Sequence, residues 1–441
     1  MNTIRLLLLV LVIPGTMHVR GQSIRFEEYD LPNGLHVILH EDHSTPIVAV
    51  TVLYHVGSKN EVAGRTGMAH FFEHLLFEGS ENIGRGEFSK YVENAGGALN
   101  ANTTMDRTFY YDLLPSNQLE LGLWLESERM LHAKVEKVGI ETQRGVVKEE
   151  KRQRYDNQPY GNLLPETMKR AFSIHPYAWT PIGSMDDLNA AQEQDFIEFY
   201  KTFYVPDNAV LSIAGDFRPE EAKRLIAQYF GDIPRGTRPI PRPTVREPIN
   251  QGEVRDVIKI KDQLPMVVKA YHIPAQGTSE FYAVDMLNKL LANGGSSRLN
   301  RAVVEEKELG LFCGAFTFNL EDPGLTIAYG LANMGIQPEQ LEAAMNEEFE
   351  RVKKELISEE EFQKLRNQIE SEFVTSNSSM AGIAESLANY HTYYGNANLI
   401  NTEIERYMKV TREDLLKAAQ TYYIPENRVV LYFVHDPALA K

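Results

Sequence analysis

His70 and His74 stand four residues apart in the segment Gly67-Met68-Ala69-His70-Phe71-Phe72-Glu73-His74-Leu75-Leu76-Phe77. The segment is rich in apolar residues and free of proline, which favours a helix. Residues four apart on a helix share a face, so the two imidazoles project together, one turn apart. Two nitrogens so placed can reach one tetrahedral zinc ion at about 2.0–2.1 Å. Glu73 follows His70 by three and precedes His74 by one, on the same side but offset. Its carboxylate is placed to meet a zinc-bound water rather than the ion. The pattern H-x-x-E-H inverts the H-E-x-x-H motif. Zinc can bring the pKa of its water near 7, and the carboxylate then takes the proton as general base. Burying two histidines and a carboxylate in an otherwise hydrophobic helix is costly without such a purpose.

A catalytic zinc needs a third protein ligand and an open position. The only cysteine is Cys313, so neither an intrachain disulfide nor a cysteine cluster is possible, and any metal site draws on His, Asp and Glu. The acid-rich stretch Glu141-Thr142-Gln143-Arg144-Gly145-Val146-Val147-Lys148-Glu149-Glu150 is the obvious source. Residue chemistry alone does not choose among Glu141, Glu149 and Glu150. Cys313 lies in the apolar run Leu311 to Phe316 and reads as core.

The elements that position these groups can be read coarsely. Leu35–Leu39 and Ile47–Leu53 read as strands, with Pro32-Asn33-Gly34 as a turn before the first. Strands followed by runs of helix point to an α+β fold rather than regular βαβ winding. The chain reads as one fold written twice. Phe203-Tyr204-Val205-Pro206-Asp207-Asn208-Ala209-Val210-Leu211 is echoed by Tyr422-Tyr423-Ile424-Pro425-Glu426-Asn427-Arg428-Val429-Val430-Leu431. Each leads into a strand ending at an aspartate, Asp216 or Asp436. Gln118-Leu119-Glu120 and Gln340-Leu341-Glu342 each open an amphipathic helix, and the same offset sets Arg144 on Arg366 and Glu150 on Glu372. Between the copies, residues 233–254 carry five prolines, Pro234, Pro239, Pro241, Pro243 and Pro248, and read as a semi-rigid linker. The expected organisation is two homologous domains, 22–232 and 255–441, each a mainly antiparallel sheet packed with helices.

The 441 residues have ordinary globular composition, with 45 Lys plus Arg against 61 Asp plus Glu, a formal charge of −16. So acidic a surface argues against nucleic acid as a partner. Arg5, the apolar run Leu6–Ile13, and Val19-Arg20-Gly21 describe an export signal, residues 1–21, cleaved after Gly21. The run is too short to span a bilayer, which takes about 20 residues, and no other stretch is long enough for a transmembrane helix.

The chain resembles the pitrilysin/insulinase family of inverted zinc peptidases, in particular its short two-domain members related to the mitochondrial processing peptidase and their bacterial relatives. The resemblance rests on Pro32-Asn33-Gly34, the helix Gly67 to His74, Gly96-Gly97-Ala98-Leu99-Asn100-Ala101, Arg144 to Glu150, His175-Pro176-Tyr177 and Tyr204 to Leu211. It implies zinc ligands at His70, His74 and Glu150, the last because the family's third ligand lies six residues after an arginine. It implies a general base at Glu73. The family's further acid, seven residues before that ligand, falls on Gln143, which keeps hydrogen bonding but adds no charge. Its substrate-binding edge strand falls on Ala98–Thr103, where a peptide adds as an extra strand, and Asn100 and Ala101 sit where the scissile region is held. In the second copy, Asp285, Asn288 and Lys289 replace His70, Glu73 and His74, so no equivalent zinc site is expected there. The arginine and tyrosine that active relatives use to hold substrate, seven apart, fall on Val304 and Leu311. Together with the export signal, the resemblance implies an exported, periplasmic or secreted zinc endopeptidase for short or unfolded peptides. A homologous partner subunit would carry the arginine–tyrosine pair, or a homodimer would draw donors such as Arg298 or Arg301. The other reading is a non-catalytic binding or assembly subunit of the same fold.

Overall fold

The computed structural model describes residues 23–248 and 252–439. The export signal expected at 1–21 lies outside the described residues, as do 249–251 of the expected linker.

The first sheet is built from β1 (Glu27–Asp30), β2 (His36–Glu41), β3 (Ile47–Tyr54), β4 (Ala98–Thr103), β5 (Thr108–Pro115) and β6 (Ala209–Gly215). Its order is β1-β2-β6-β3-β5-β4, antiparallel except for the β2–β6 pair. The second sheet holds β7 (Val254–Ile260), β8 (Met266–His272), β9 (Gly310–Phe318), β10 (Leu325–Ala332) and β11 (Arg428–His435), in the order β7-β11-β8-β10-β9. Here too one pair is parallel, β7–β11. Replacing β2, β6, β3, β5 and β4 by β7, β11, β8, β10 and β9 reproduces the same order and directions, which is the duplication the sequence echoes suggest. The echoed asparagines do the same work in both copies. Asn208 donates to Phe203 O at 2.8 Å and to His55 O; Asn427 donates to Tyr422 O at 2.9 Å and to His272 O. Each ties the end of a helix to a central strand.

The helices of the first half are α1 (Met68–Leu75), α2 (Phe88–Asn94), α3 (Leu119–Leu131), α4 (Lys137–Lys151), α5 (Leu163–Ala171), α6 (Met185–Ala190), α7 (Glu193–Phe203) and α8 (Pro219–Phe230). Those of the second are α9 (Ser279–Ala292), α10 (Pro338–Lys354), α11 (Glu359–Ser376), α12 (Met380–Tyr394), α13 (Leu399–Lys409) and α14 (Arg412–Tyr422). Among the described residues no helix is long and apolar enough to cross a membrane.

Side chains alternate across a strand, so a central strand serves two faces. On β3, Val48, Val50, Val52 and Tyr54 meet α1, α3 and α7, while Ala49 and Leu53 face the other way. That second face is covered by α12 of the opposite half, through Met380, Ile383, Ala384, Leu387 and Ala388. The exchange is reciprocal. Met168 and Ala171 of α5, with Phe172, cover Met266, Val268 and Ala270 of β8 and Leu431 and Phe433 of β11. Each buried aliphatic side chain contributes about 1.5–3 kcal/mol, against about 0–1 kcal/mol for an exposed ion pair. Apolar cover, not surface charge, therefore holds the halves together.

The proline-rich stretch is strapped down rather than a free spacer. Arg242 donates to His55 O and Asn208 Oδ1, Asn60 donates to Pro241 O, and Glu247 accepts the backbone N–H groups of Ser173, Ile174 and His175. Cys313 is buried, and burial pushes its thiol up to about 12.

Candidate metal centre and active site

The chain enters α1 through Gly67 at φ 92°, a left-handed conformation that glycine adopts at little cost. A Cβ there would sit 3.0 Å from the Ile182 carbonyl oxygen and from Leu188 Cδ2. The first N–H groups of a helix lack intrahelical acceptors. At α1 the buried Glu61 carboxylate accepts from Gly67 N and Ala69 N, each at 2.9 Å. Burial pushes that carboxyl up to about 8, against the pull of those same backbone donors. At the other end, the buried Arg129 donates to Leu76 O at 3.0 Å. Arg129 is itself held by Glu126 at 3.1 Å and by the faces of Phe77, Phe88 and Tyr110. With Phe71, Phe72 and Leu75 sunk in the core, the helix is clamped at both ends and presents His70 and His74 towards α4.

Arg144 anchors α4 by donating to Leu188 O and, at 2.9 Å, to Ala191 O. Its anchoring settles which acid faces the histidines. Glu141 is exposed and pairs with Arg144; Glu149 is exposed and takes Arg152 at 3.2 Å and Gln153 at 3.0 Å. Glu150 Oε2 lies 3.0 Å from His74 Nε2 and 3.6 Å from His70 Nε2. The ligand-type atoms of His70, His74 and Glu150 all fall within 4.8 Å of one another.

This donor set fits zinc. Ligand atoms about 2.0–2.1 Å from a tetrahedral zinc lie roughly 3.3 Å apart, and the two distances to Glu150 bracket that value. Glu150 Oε2 is buried and faces the two imidazole nitrogens, an arrangement that a shared cation would satisfy. The flanking imidazoles hold the Glu150 carboxyl well below the usual carboxylate range. A second trio, Glu28, His36 and His391, also brings ligand-type atoms together. There the rings stack face to face, 3.4 Å apart and 14° from parallel, so their in-plane lone pairs run side by side instead of converging.

Glu73 accepts a 2.6 Å hydrogen bond from Thr103 Oγ1, at the end of β4. β4 is the edge of its sheet, with β5 its one partner. Asn100 is exposed and its Oδ1 accepts the Ala101 N–H at 2.9 Å; the Ala101 side chain is buried. A cavity of about 410 Å³ flanks this edge, lined by Phe77, Ser89, Glu93, Leu99 and Asn100 among others. Gln143 turns to Glu78, donating to its Oε1 at 2.6 Å, while Arg85 takes the other oxygen at 2.6 Å. In the second half, Asp285 accepts from Tyr407 OH at 3.0 Å, and Asn288 bonds Thr317 and Thr326. Val304 is packed against the second core and Leu311 is exposed on β9. Arg298 is committed to Glu361 at 2.9 Å, and Arg301 is exposed. Sequence reasoning missed Glu61 and Arg129, which come to the site from distant segments and carry no local pattern; Thr103 was placed on the edge strand, but its bond to Glu73 was not foreseen.

Residues 36–181 match the family model described as Insulinase (Peptidase family M16), and residues 190–369 match Peptidase M16 inactive domain. The chain belongs to peptidase family M16. The zinc protease PqqE of Helicobacter pylori is 30% identical over 419 residues, 94% of either chain. The crystal structure of a protease from Helicobacter pylori matches with a TM-score of 0.90 at 30% identity, over 94% of this chain and 100% of that one. The probable mitochondrial-processing peptidase subunit beta of Arabidopsis thaliana is 25% identical over 83% of this chain and 70% of its own. The first half of the periplasmic protease PqqL of Escherichia coli shares the M16 fold, with a TM-score of 0.75 at 19% identity, over 94% of this chain and 93% of that one. The stretch matched by the second model includes Asp285, Asn288 and Lys289, the positions expected to align with the inverted motif.

Proposed function

We propose that this M16 chain is a zinc-dependent endopeptidase for short or unfolded peptides, made with the export signal 1–21 and working in the periplasm or outside the cell. One observation carries the reading: Glu73, on the same helix as His70 and His74 of the His70–His74–Glu150 trio, is hydrogen-bonded to Thr103 of the edge strand β4. The proposed base is thereby joined to the strand on which a peptide would lie.

His70, His74 and Glu150 would hold the zinc. When bound, zinc supplies a Lewis acid that makes water acidic near pH 7 and polarises a carbonyl. The outer edge of β4 takes the peptide main chain as an added strand, so affinity comes largely from backbone bonds and many sequences are accepted. Asn100 and Ala101 lie on that edge at the scissile region. Glu73 takes the proton of the attacking water and returns it to the leaving amine. Gln143 supports α4 through Glu78 without adding charge.

A specific observation favours a two-chain enzyme. Val304 and Leu311 are apolar where the family resemblance expects an arginine and a tyrosine, and Arg298 is tied up by Glu361. Loss of one transition-state donor can cost about 10²–10³ in rate. We infer that a homologous subunit supplies the pair, with a homodimer as the second arrangement and a non-catalytic assembly subunit as the third.

The test assays unstructured peptides with the chain alone, with a homologous partner, and with a chelator. Chelator-sensitive cleavage that rises strongly on adding the partner is expected. Full turnover by the lone chain would defeat the two-chain reading. Cleavage by Glu73→Gln at near wild-type rate would remove Glu73 from the chemistry; the expected loss is about 10²–10⁴-fold with zinc and peptide still bound.

A further inference from the structure

We propose that Arg154 is a positioning residue that presents Glu150 to the metal through a single oxygen; the inference rests on the zinc reading above. Arg154 Nη1 lies 2.8 Å from Glu150 Oε1, while Oε2 of the same carboxylate faces the two histidines. The backbone makes this pairing selective. After Lys151 the helix loosens into a widened turn, Arg152–Asp156, of the kind often found at functional sites. Three cations follow Glu150 within four residues. Lys151 goes to Asp156 at 2.9 Å and Arg152 to Glu149 at 3.2 Å. Arg154 is the one that meets the ligand.

An exposed pair four residues apart on a helix contributes little. This pair differs because its acid is not exposed. The Glu150 side chain is 14% accessible against 74% for Arg154, and its inner oxygen faces the two imidazoles. The last torsion of a glutamate is broad and roughly two-fold, so a carboxylate without an outer partner offers either oxygen, or both, to an ion. A guanidinium on Oε1 leaves Oε2 alone to bind. The positive charge of Arg154 opposes zinc, but at this exposure solvent and salt screen it, and the orienting effect wins. Outer partners of metal ligands are commonly worth 10–100-fold in metal affinity.

The experiment measures zinc affinity of the full chain by competition with a fluorescent zinc chelator, for wild type, Arg154→Met, Arg154→Lys and Arg152→Met. Arg154→Met should weaken zinc binding at least about tenfold. Arg154→Lys, which keeps the charge but not the planar fork, should recover part of the loss. Arg152→Met, whose partner is Glu149, should bind like wild type. Equal Tm values for the metal-free proteins separate the effect from unfolding. Zinc bound by Arg154→Met as tightly as by wild type, or more tightly, overturns the proposal. Wild type that takes up no zinc brings down the metal reading and this one with it. Wild type that binds zinc but cleaves nothing defeats the peptidase reading alone, and the affinities still decide the role of Arg154.

Discussion

Lys289 Nζ lies 2.6 Å from Glu372 Oε2, at the place in the second half that His74 and Glu150 occupy in the first. An ammonium group stands where the first half gathers metal ligands, and Asn293 donates to the other Glu372 oxygen at 2.9 Å. Neighbouring Asn288 bonds Thr317 and Thr326, paired residues on β9 and β10, much as Glu73 bonds Thr103, which pairs with Thr108. The duplicated geometry survives with its chemistry exchanged for an internal cation. Because Glu372 is about half exposed, Lys289→Met should cost no more than about 1 kcal/mol and leave zinc content at one per chain. Thermal melting and metal analysis check this; a fall in zinc content would assign the second half a metal role.

The ligand set predicts a graded series. His74→Ala should abolish stoichiometric zinc, and Glu150→Gln should lose most of it. Glu149→Gln should keep it, since Glu149 faces solvent beside Arg152 and Gln153. Elemental analysis after dialysis reads all three. Zinc retained by Glu150→Gln and lost by Glu149→Gln would shift the ligand by one residue.

The exchanged helices predict long-range destabilisation. Leu387 of α12 is fully buried against the first sheet. Leu387→Ala should cost about 2–5 kcal/mol, and should raise hydrogen exchange in β3 and β6, more than 160 residues away in the chain. Exchange changes confined to residues beyond 254 would mean that the halves are stabilised independently.

An acid-sensitive joint is also expected. The nearly inaccessible Lys59 side chain meets Asp106 at 2.9 Å and Glu321 at 2.6 Å, with Asp322 at 3.4 Å. His55 bonds Glu321 at 2.7 Å, and His175 lies 3.5 Å from Asp322. Burial by itself would raise the Glu321 carboxyl, but His55 and Lys59 outweigh it and lower it from 4.5 to about 2. A lowered carboxyl stabilises the fold above its unfolded value and loses that contribution as pH falls, here from about 4.5 down through about 2. With Glu321 partly exposed, the loss should be of order 1–2 kcal/mol. Denaturant unfolding across this range should show a weaker pH slope for Glu321→Gln than for wild type. Identical slopes would remove Glu321 from the acid response.

The inverted motif and the duplicated order of elements were legible because each depends on local spacing, and a helix sets which side chains share a face. The strands around Ile47–Leu53 and the turn before Leu35 were legible for the same reason. The choice of Glu150 over Glu149 did not follow from spacing; it came from the family resemblance, which expects the third ligand six residues after Arg144. What the residues near the site do to one another was decided by tertiary structure. Glu61 and Arg129 reach α1 from other segments, and no periodicity in the chain links them to it; the bond from Thr103 of the expected edge strand to Glu73 was also out of reach. The exchange of α5 and α12 between the halves was equally hidden. An apolar helix face reads the same whichever sheet it covers, and only the three-dimensional packing places Leu387 on the first sheet and Met168 on the second.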